Sequence, residues 1–472
     1  LSRPAVTRLT GTADLLPDTV TARQEVLARL QSFFRLYGYE AIDTPVLERT
    51  DLYLKKSGSA LTSRLYTFHD QGGHKVSLRP EFTASVLRLF LEGKDWPLPV
   101  RWQYAGPVFR YQDGSAKGVR QFTQVGAELL GAAGHVADAE IIGMAYGALQ
   151  GLPLQGLRVV LAYPGLVGEL LKDYGLSERA RAFLVSSLGR LKAGGQAKQE
   201  VMEQAKEMGL VRPQGTSRVD AAANGQSDVQ ALLRTLLDQP EPTGSRTPEE
   251  IMAGYLRKQR TQEDPQRFHQ AVEMLADLTQ VHGAPRTALH EASQLLKRNR
   301  RYAAGLQELQ ETIALLLATG LDEGGVTVDF GVAPELAYYS GFVFELWVMT
   351  SSGERLLGSG GRYDGLAKAL GGEGDLPACG FACILEQIVE VLPRGQRSAL
   401  SPQGSTLVVP ESPAAVAEAI IFAQGLRSKG AIAQTDLVQR PLQESLAYGR
   451  RAGLQRVVVV DAQGHSQDYP LL

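Results

Sequence analysis

The residues best suited to chemistry lie in four short stretches. Leu78-Arg79-Pro80-Glu81-Phe82-Thr83 sets a carboxylate two residues from a hydroxyl. A bound ammonium group needs one carboxylate and one or two neutral acceptors. The same pattern also suits a plain turn or a capped helix start. Val108–Gln112 and Gly118–Glu128 read as two antiparallel strands joined by a loop. They carry Arg110, which is either an anion clamp or an ion-pair arginine, together with Gln124 and Glu128. Further on, Tyr338-Tyr339 precedes Ser340-Gly341, and Gly358-Ser-Gly-Gly-Arg-Tyr-Asp-Gly365 forms a glycine-rich run containing Tyr363. That run is no phosphate loop by itself, because loops of this composition are common and no Walker lysine follows.

Composition narrows the choices. The 472 residues are enough for roughly two to four domains. Hydrophobic residues make up 44% and charged ones 21%, the balance of a soluble globular protein. A net charge of −2 provides no general basic field, which argues against strong sequence-independent nucleic-acid binding. Two cysteines, Cys379 and Cys383, rule out a disulfide framework and a four-cysteine zinc site; they read as small apolar core residues. The seven histidines are scattered, with no His-x-x-x-His pair, so no metal is expected. Cysteine usage fits a reducing, cytoplasmic compartment. The opening Leu1-Ser-Arg-Pro-Ala-Val lacks a signal-peptide core, and runs such as Ile313–Ala318 are too short to span a membrane.

These residues must be positioned by a sheet. Apolar spacing predicts a helix over Thr19–Tyr37 and another over Ala84–Leu91. Strands are expected at Glu40–Leu47, Lys75–Leu78, Val100–Tyr104 and Gln121–Leu130, giving an antiparallel sheet with flanking helices over 1–164. A helical insertion is expected over 165–318. Its helices are Ser177–Lys192, Glu200–Met208, Val229–Leu237, Pro248–Arg257, Phe268–Val281 and Ala288–Leu315, with a surface loop at Gln239–Ser245. The sheet resumes over 319–393 with strands Val326–Phe330, Phe342–Thr350, Leu356–Gly358 and Pro377–Phe381 and the helix Ala382–Leu392. A linker follows at 394–404. The last block, 405–472, alternates three strands and two helices as a small α/β unit. The fold class is therefore α+β.

Nearly the whole chain resembles the histidyl-tRNA synthetase family, a class II aminoacyl-tRNA synthetase fold. Gly11-Thr-Ala-Asp14 is similar to its amino-terminal signature, and Gly38–Glu48, with Pro45, to motif 1. Arg110 and Gly118–Glu128 match motif 2. Val332–Glu345 and Gly358–Gly365 match its two histidine motifs, and Leu376–Gln387 matches motif 3. The resemblance implies a histidine pocket made by Glu81, Thr83, Gln124, Glu128, Tyr338, Tyr339 and Tyr363, with Arg110 as a residual nucleotide or phosphate contact. It also implies dimerisation through the motif 1 region.

Four departures stand out. Pro334 falls where the family carries an arginine in its first histidine motif, and Gln387 where it carries the motif 3 arginine. Gln112 replaces a glutamate, and the loop Asp113–Lys117 is short of the family's arginine-rich pattern. Fixed cations supply much of the stabilisation in adenylate formation, and losing one such group costs about 10²–10³-fold in rate. Proline and a neutral amide cannot supply that charge. The pattern is similar to the synthetase-like regulatory subunits of ATP phosphoribosyltransferase. That resemblance implies no catalysis and no cofactor. It implies histidine as effector, a short-form catalytic subunit as partner, and a hetero-octamer in which tRNA is not an expected partner. Residues 405–472 resemble an anticodon-binding domain, which keeps a histidine–tRNA ligase open as the alternative. A free-standing sensor of the stress-kinase type is a third reading, although no kinase motif occurs.

Overall fold

The computed structural model describes residues 7–55, 61–93, 95–112, 119–212, 262–296, 301–334, 336, 338–393, 406–429, 431–436 and 440–471. The chain divides into two units, Leu1–Leu15 with Arg23–Pro393, and Leu16–Ala22 with Arg394–Leu472.

In chain order the strands of the larger unit are β1 (Glu40–Ala41), β2 (Leu47–Arg49), β3 (Thr67–His69), β4 (Lys75–Leu78), β5 (Val100–Phe109) and β6 (Gln121–Leu130). They continue as β7 (Arg158–Ala162), β8 (His282–Gly283), β9 (Val326–Asp329), β10 (Val343–Thr350), β11 (Gly353–Arg362) and β12 (Ala378–Ile384). Nine of them form one sheet in the order β1-β5-β6-β12-β11-β10-β7-β9-β8. Its central pairs are antiparallel, while β1 runs parallel to β5 and β7 parallel to β9. The β5–β6 hairpin is its longest ladder, from Val100 opposite Leu130 to Phe109 opposite Gln121. Nearly all of β6 is buried, its polar Thr123, Gln124 and Glu128 included, so both of its faces are covered.

The single strand expected at Glu40–Leu47 is broken. Its first two residues pair with Trp102 and Gln103 in the large sheet, and Leu47–Arg49 pairs with β4 in a separate three-stranded sheet. Pro45 has no N–H for a ladder. The carbonyl of Thr44 is taken instead by the buried guanidinium of Arg79, Nη1 to O 2.6 Å. The core helix His135–Gln150 and strand β7 are not among the expected elements.

Other boundaries also shift. The expected helix Ser177–Lys192 is two helices, Glu178–Ser186 and Leu188–Lys192, separated at Ser187, whose hydroxyl donates to Phe183 O. Ala288–Leu315 is also two, Pro285–Leu296 and Arg301–Ala318. At motif 3 the strand runs on to Ile384, because Ala382 and Cys383 still pair with Gly126 and Val125; the helix begins only at Leu385. The expected helices Val229–Leu237 and Pro248–Arg257, the loop Gln239–Ser245, the loop Asp113–Lys117 and the linker 394–404 lie outside the described residues.

The smaller unit holds β13 (Thr406–Pro410), β14 (Ala433–Thr435), β15 (Arg456–Val460) and β16 (Ser466–Pro470), in the order β14-β13-β15-β16. Its first three strands are parallel, and helices Val416–Ser428 and Leu442–Arg451 pack on it. β16 adds an antiparallel edge that was not expected. No described helix is long and apolar enough to cross a membrane.

Candidate functional site

Glu81 sits in the turn between β4 and the helix Thr83–Glu92. Its carboxylate accepts the Ala84 N–H at 3.1 Å, so it caps that helix and also lines a cavity. The turn reading of the Leu78–Thr83 stretch therefore holds, and the same carboxylate faces the cavity. On β6, Gln124 and Glu128 share a face because side chains two apart along a strand point the same way. Gly126 lies between them. A Cβ there would overlap the Phe381 carbonyl and stand 2.9 Å from the Tyr104 hydroxyl. Gly126 thus lets Tyr104 and β12 pack closely on β6, and the bare backbone of Gly380 forms part of the floor of the site.

The cavity holds about 60 Å³, space for a few water-sized groups. Its lining includes Glu81, Thr83, Arg110, Gln124, Tyr338, Tyr339 and Tyr363. Seven residues expected from separate stretches of sequence therefore meet in one place. Glu128 lies just behind the wall, 1% exposed. Its Oε1 accepts from Thr83 Oγ1 at 2.7 Å and from the Tyr104 hydroxyl at 3.0 Å, and its Oε2 accepts from the Tyr363 hydroxyl. The Tyr338 hydroxyl points to Glu81 at 3.5 Å. Arg110 donates through Nε to Pro80 O at 3.0 Å and lies over the Phe122 ring.

Burial dominates the electrostatics. It raises Glu128 to about 7 against the pull of three hydroxyl donors, and raises Glu81 against Ala84 N–H and Arg110. It pushes Tyr104, Tyr338 and Tyr363 well above the usual tyrosine range, so all three remain neutral donors.

Pro334 and Gln387 are not part of the lining. Pro334 lies between β9 and Leu336, and the Gln387 amide oxygen accepts from Arg355 Nη1 at 3.1 Å. Sequence reasoning missed Tyr104, Phe122, Leu336 and Phe381, which also line the cavity. Tyr104 had a usable signal: it lies opposite Gly126 across the hairpin, on the face that carries Gln124 and Glu128. It also stacks on Phe82, ring centroids 4.2 Å apart. Behind Tyr363, Arg362 is clamped by Asp138 and Asp364, and the Tyr363 N–H donates to Ala378 O, which fixes the ring's entry. Cys379 and Cys383 are buried and unpaired by disulfide, as expected for core residues.

A sheet of this order, closed over a small polar cavity, defines a class II aminoacyl-tRNA synthetase-like fold. Three solved structures share it. A crystallised ATP phosphoribosyltransferase regulatory subunit/histidyl-tRNA synthetase from Bacillus halodurans C is 22% identical, with 97% of this chain and 99% of that one covered and a TM-score of 0.66. The apo S. aureus histidyl-tRNA synthetase gives 22%, 99% and 98%, and 0.62; the Nostoc sp. PCC 7120 enzyme gives 16%, 99% and 97%, and 0.67.

The chain belongs to the histidyl-tRNA synthetase family, whose model matches residues 11–262 and 230–388. It is similar to the ATP phosphoribosyltransferase regulatory subunit of Moorella thermoacetica, 31% identical over 445 residues that cover 94% of this chain and 95% of that protein. It is also similar to the histidine–tRNA ligase of Thermococcus kodakarensis, 28% identical over 457 residues, covering 96% and 90%.

Proposed function

We propose that the chain is a non-catalytic regulatory subunit that binds histidine and is required by a short-form ATP phosphoribosyltransferase catalytic subunit. One observation carries the reading. Glu81, Thr83, Gln124, the three tyrosines and Arg110 converge on one cavity, while Pro334 and Gln387 occupy two positions that the family resemblance gives to arginines. A site that retains ligand acceptors and lacks two fixed cations is suited to sensing rather than to stabilising a phosphoryl-charge transition state. The similarity to the Moorella thermoacetica regulatory subunit supports the same assignment.

In this role histidine must bind two arrangements of the assembly with different affinity, since otherwise it shifts nothing. Glu81, Gln124 and the tyrosines close on the ligand, and contacts with the catalytic subunit change. The motif 1 region, Gly38–Glu48, supplies a dimer interface within a hetero-octamer, and Val46 and Leu47 are exposed there. A second reading, a histidine–tRNA ligase, draws on the α/β unit at 406–471 and on the similarity to the Thermococcus kodakarensis enzyme.

The test mixes this chain with the short-form catalytic subunit from the same organism. Phosphoribosyl transfer to ATP is expected only from the mixture, with histidine suppressing it. A catalytic subunit that is fully active alone and indifferent to this chain contradicts the proposal.

A further inference from the structure

The cavity's tyrosines come from two stretches, 338–341 and 361–364, which interlock through residues outside the lining. The fit is reciprocal. A Cβ on Gly361 would stand 2.9 Å from the Tyr339 ring, and one on Gly341 would stand 3.0 Å from the Arg362 side chain. Tyr338 meets Tyr363 edge to face, ring centroids 5.8 Å apart. Hydrogen bonds stitch the same seam. Arg362 O accepts the Ser340 N–H at 2.8 Å, and Ser340 Oγ accepts the Asp364 N–H at 3.1 Å.

The seam is anchored on both sides. Arg362 is 7% exposed, and its guanidinium donates to Asp138 at 2.8 Å, Asp364 at 3.0 Å and the Ala132 carbonyl at 3.2 Å. On the other side, Gly341 O accepts the Gly165 N–H at 3.0 Å. Gly165 lies in the first turn of the helix Pro164–Asp173, where an N–H has no partner within the helix. That helix is the first of the helical segment between β7 and β8. The approach is close: a Cβ on Gly165 would stand 2.5 Å from the Ser340 carbonyl oxygen.

We propose that Ser340 and Arg362 are positioning residues that make one body of the two tyrosine stretches, and that Gly165 ties this body to the helical segment. A ligand that shifts one of Tyr338, Tyr339 and Tyr363 then shifts all three, and the helix Pro164–Asp173 with them. Packed elements of this kind pass between discrete arrangements rather than deforming continuously. For the sensor proposed above, this is a route from an occupied cavity to the helical segment. That use rests on the proposed function, whereas the coupling of the two stretches does not.

The first test is backbone hydrogen exchange, read by mass spectrometry on the full-length wild type, Gly165→Ala and Gly168→Ala. Both alanines fall in one helix, where alanine is by itself favourable, and Gly168 has nothing within 4 Å of the added carbon. Gly165→Ala is expected to speed exchange by about 10-fold at 338–341, the low end of an overpacking cost. The same increase is expected at 361–364, with β5 and β6 unchanged. Gly168→Ala should alter neither stretch. An effect confined to 338–341, or no effect, would overturn the proposal.

The second test uses Ser340, which is exposed and adds no bulk when shortened. Ser340→Ala should weaken histidine binding by about 5-fold in titration calorimetry, the scale of one neutral hydrogen bond. Ser340→Thr keeps the hydroxyl and should restore it. Unchanged affinity in Ser340→Ala, or a loss that threonine does not restore, overturns the positioning role of Ser340. If the wild type does not bind histidine, joint loosening of the two stretches in Gly165→Ala still supports their coupling, while the proposed function falls.

Discussion

Glu81→Gln should weaken histidine binding by about 100-fold while leaving the empty protein as stable as the wild type or slightly more so. The carboxylate is 2% exposed, and burial holds its pKa above the ordinary glutamate value. A group whose folded-state pKa is raised stabilises the fold fully below its unfolded pKa. It loses that contribution as pH rises through the folded value. At neutral pH the charge is therefore a cost to the empty protein, which a neutral amide of the same shape removes while still accepting the Ala84 N–H. An ammonium ligand restores the balance, and deleting one member of such a buried pair costs about 2–5 kcal/mol in binding. Titration calorimetry and urea denaturation of the same preparation separate the two effects. Wild-type affinity, or wild-type feedback inhibition in the reconstituted complex, would remove Glu81 from the sensor site. A fold weakened in parallel with binding would show that its helix-capping role dominates.

Gly380→Ala should destabilise the larger unit by about 3 kcal/mol, at the upper end of ordinary overpacking. The new methyl would overlap Glu128 Oε2 and stand 2.6 Å from the Ala127 carbonyl. Glu128 cannot swing aside cheaply, because three hydroxyls hold it, and the carbonyl is fixed in the β6–β12 ladder. Gly168→Ala is the matched control. It lies within the helix Pro164–Asp173 with nothing within 4 Å of the added carbon. That change should stabilise by about 0.5–1 kcal/mol, as glycine in a helix interior is unfavourable relative to alanine. Thermal and urea unfolding of both variants decide the matter. Equal effects at the two positions would mean that the floor of the cavity relaxes freely.

Part of this was legible in the sequence. The strand Gln121–Leu130 and the turn carrying Glu81 and Thr83 were found because side-chain pattern and turn residues coincide there. The gathering of Tyr338, Tyr339 and Tyr363 beside Gln124 came from the family resemblance, since no local pattern could bring residues more than two hundred positions apart together.

What stayed hidden has physical causes. The helix His135–Gln150 is buried along most of its length and rich in alanine and glycine, so it shows no polar face to mark a period. Strand β7 belongs to the sheet only through partners more than 150 residues away. The break near Pro45 depends on Arg79 reaching the Thr44 carbonyl, a contact across thirty-five positions. Tyr104 was passed over because it stands in mid-strand, and its role is set by Glu128 and Phe82 rather than by its neighbours in sequence. Glu128, named from the resemblance, lies just behind the wall, and its bonds to Thr83 and Tyr363 join residues far apart in sequence.

The most direct test of a sensor without synthetase chemistry is histidine-dependent ATP–pyrophosphate exchange by the purified chain, run beside calorimetric titration of histidine. Saturable binding of histidine with no exchange is the predicted result, in keeping with Pro334 and Gln387 at positions the resemblance gives to arginines. Exchange at the rate of a working histidyl-tRNA synthetase would contradict it and make the chain an aminoacylating enzyme.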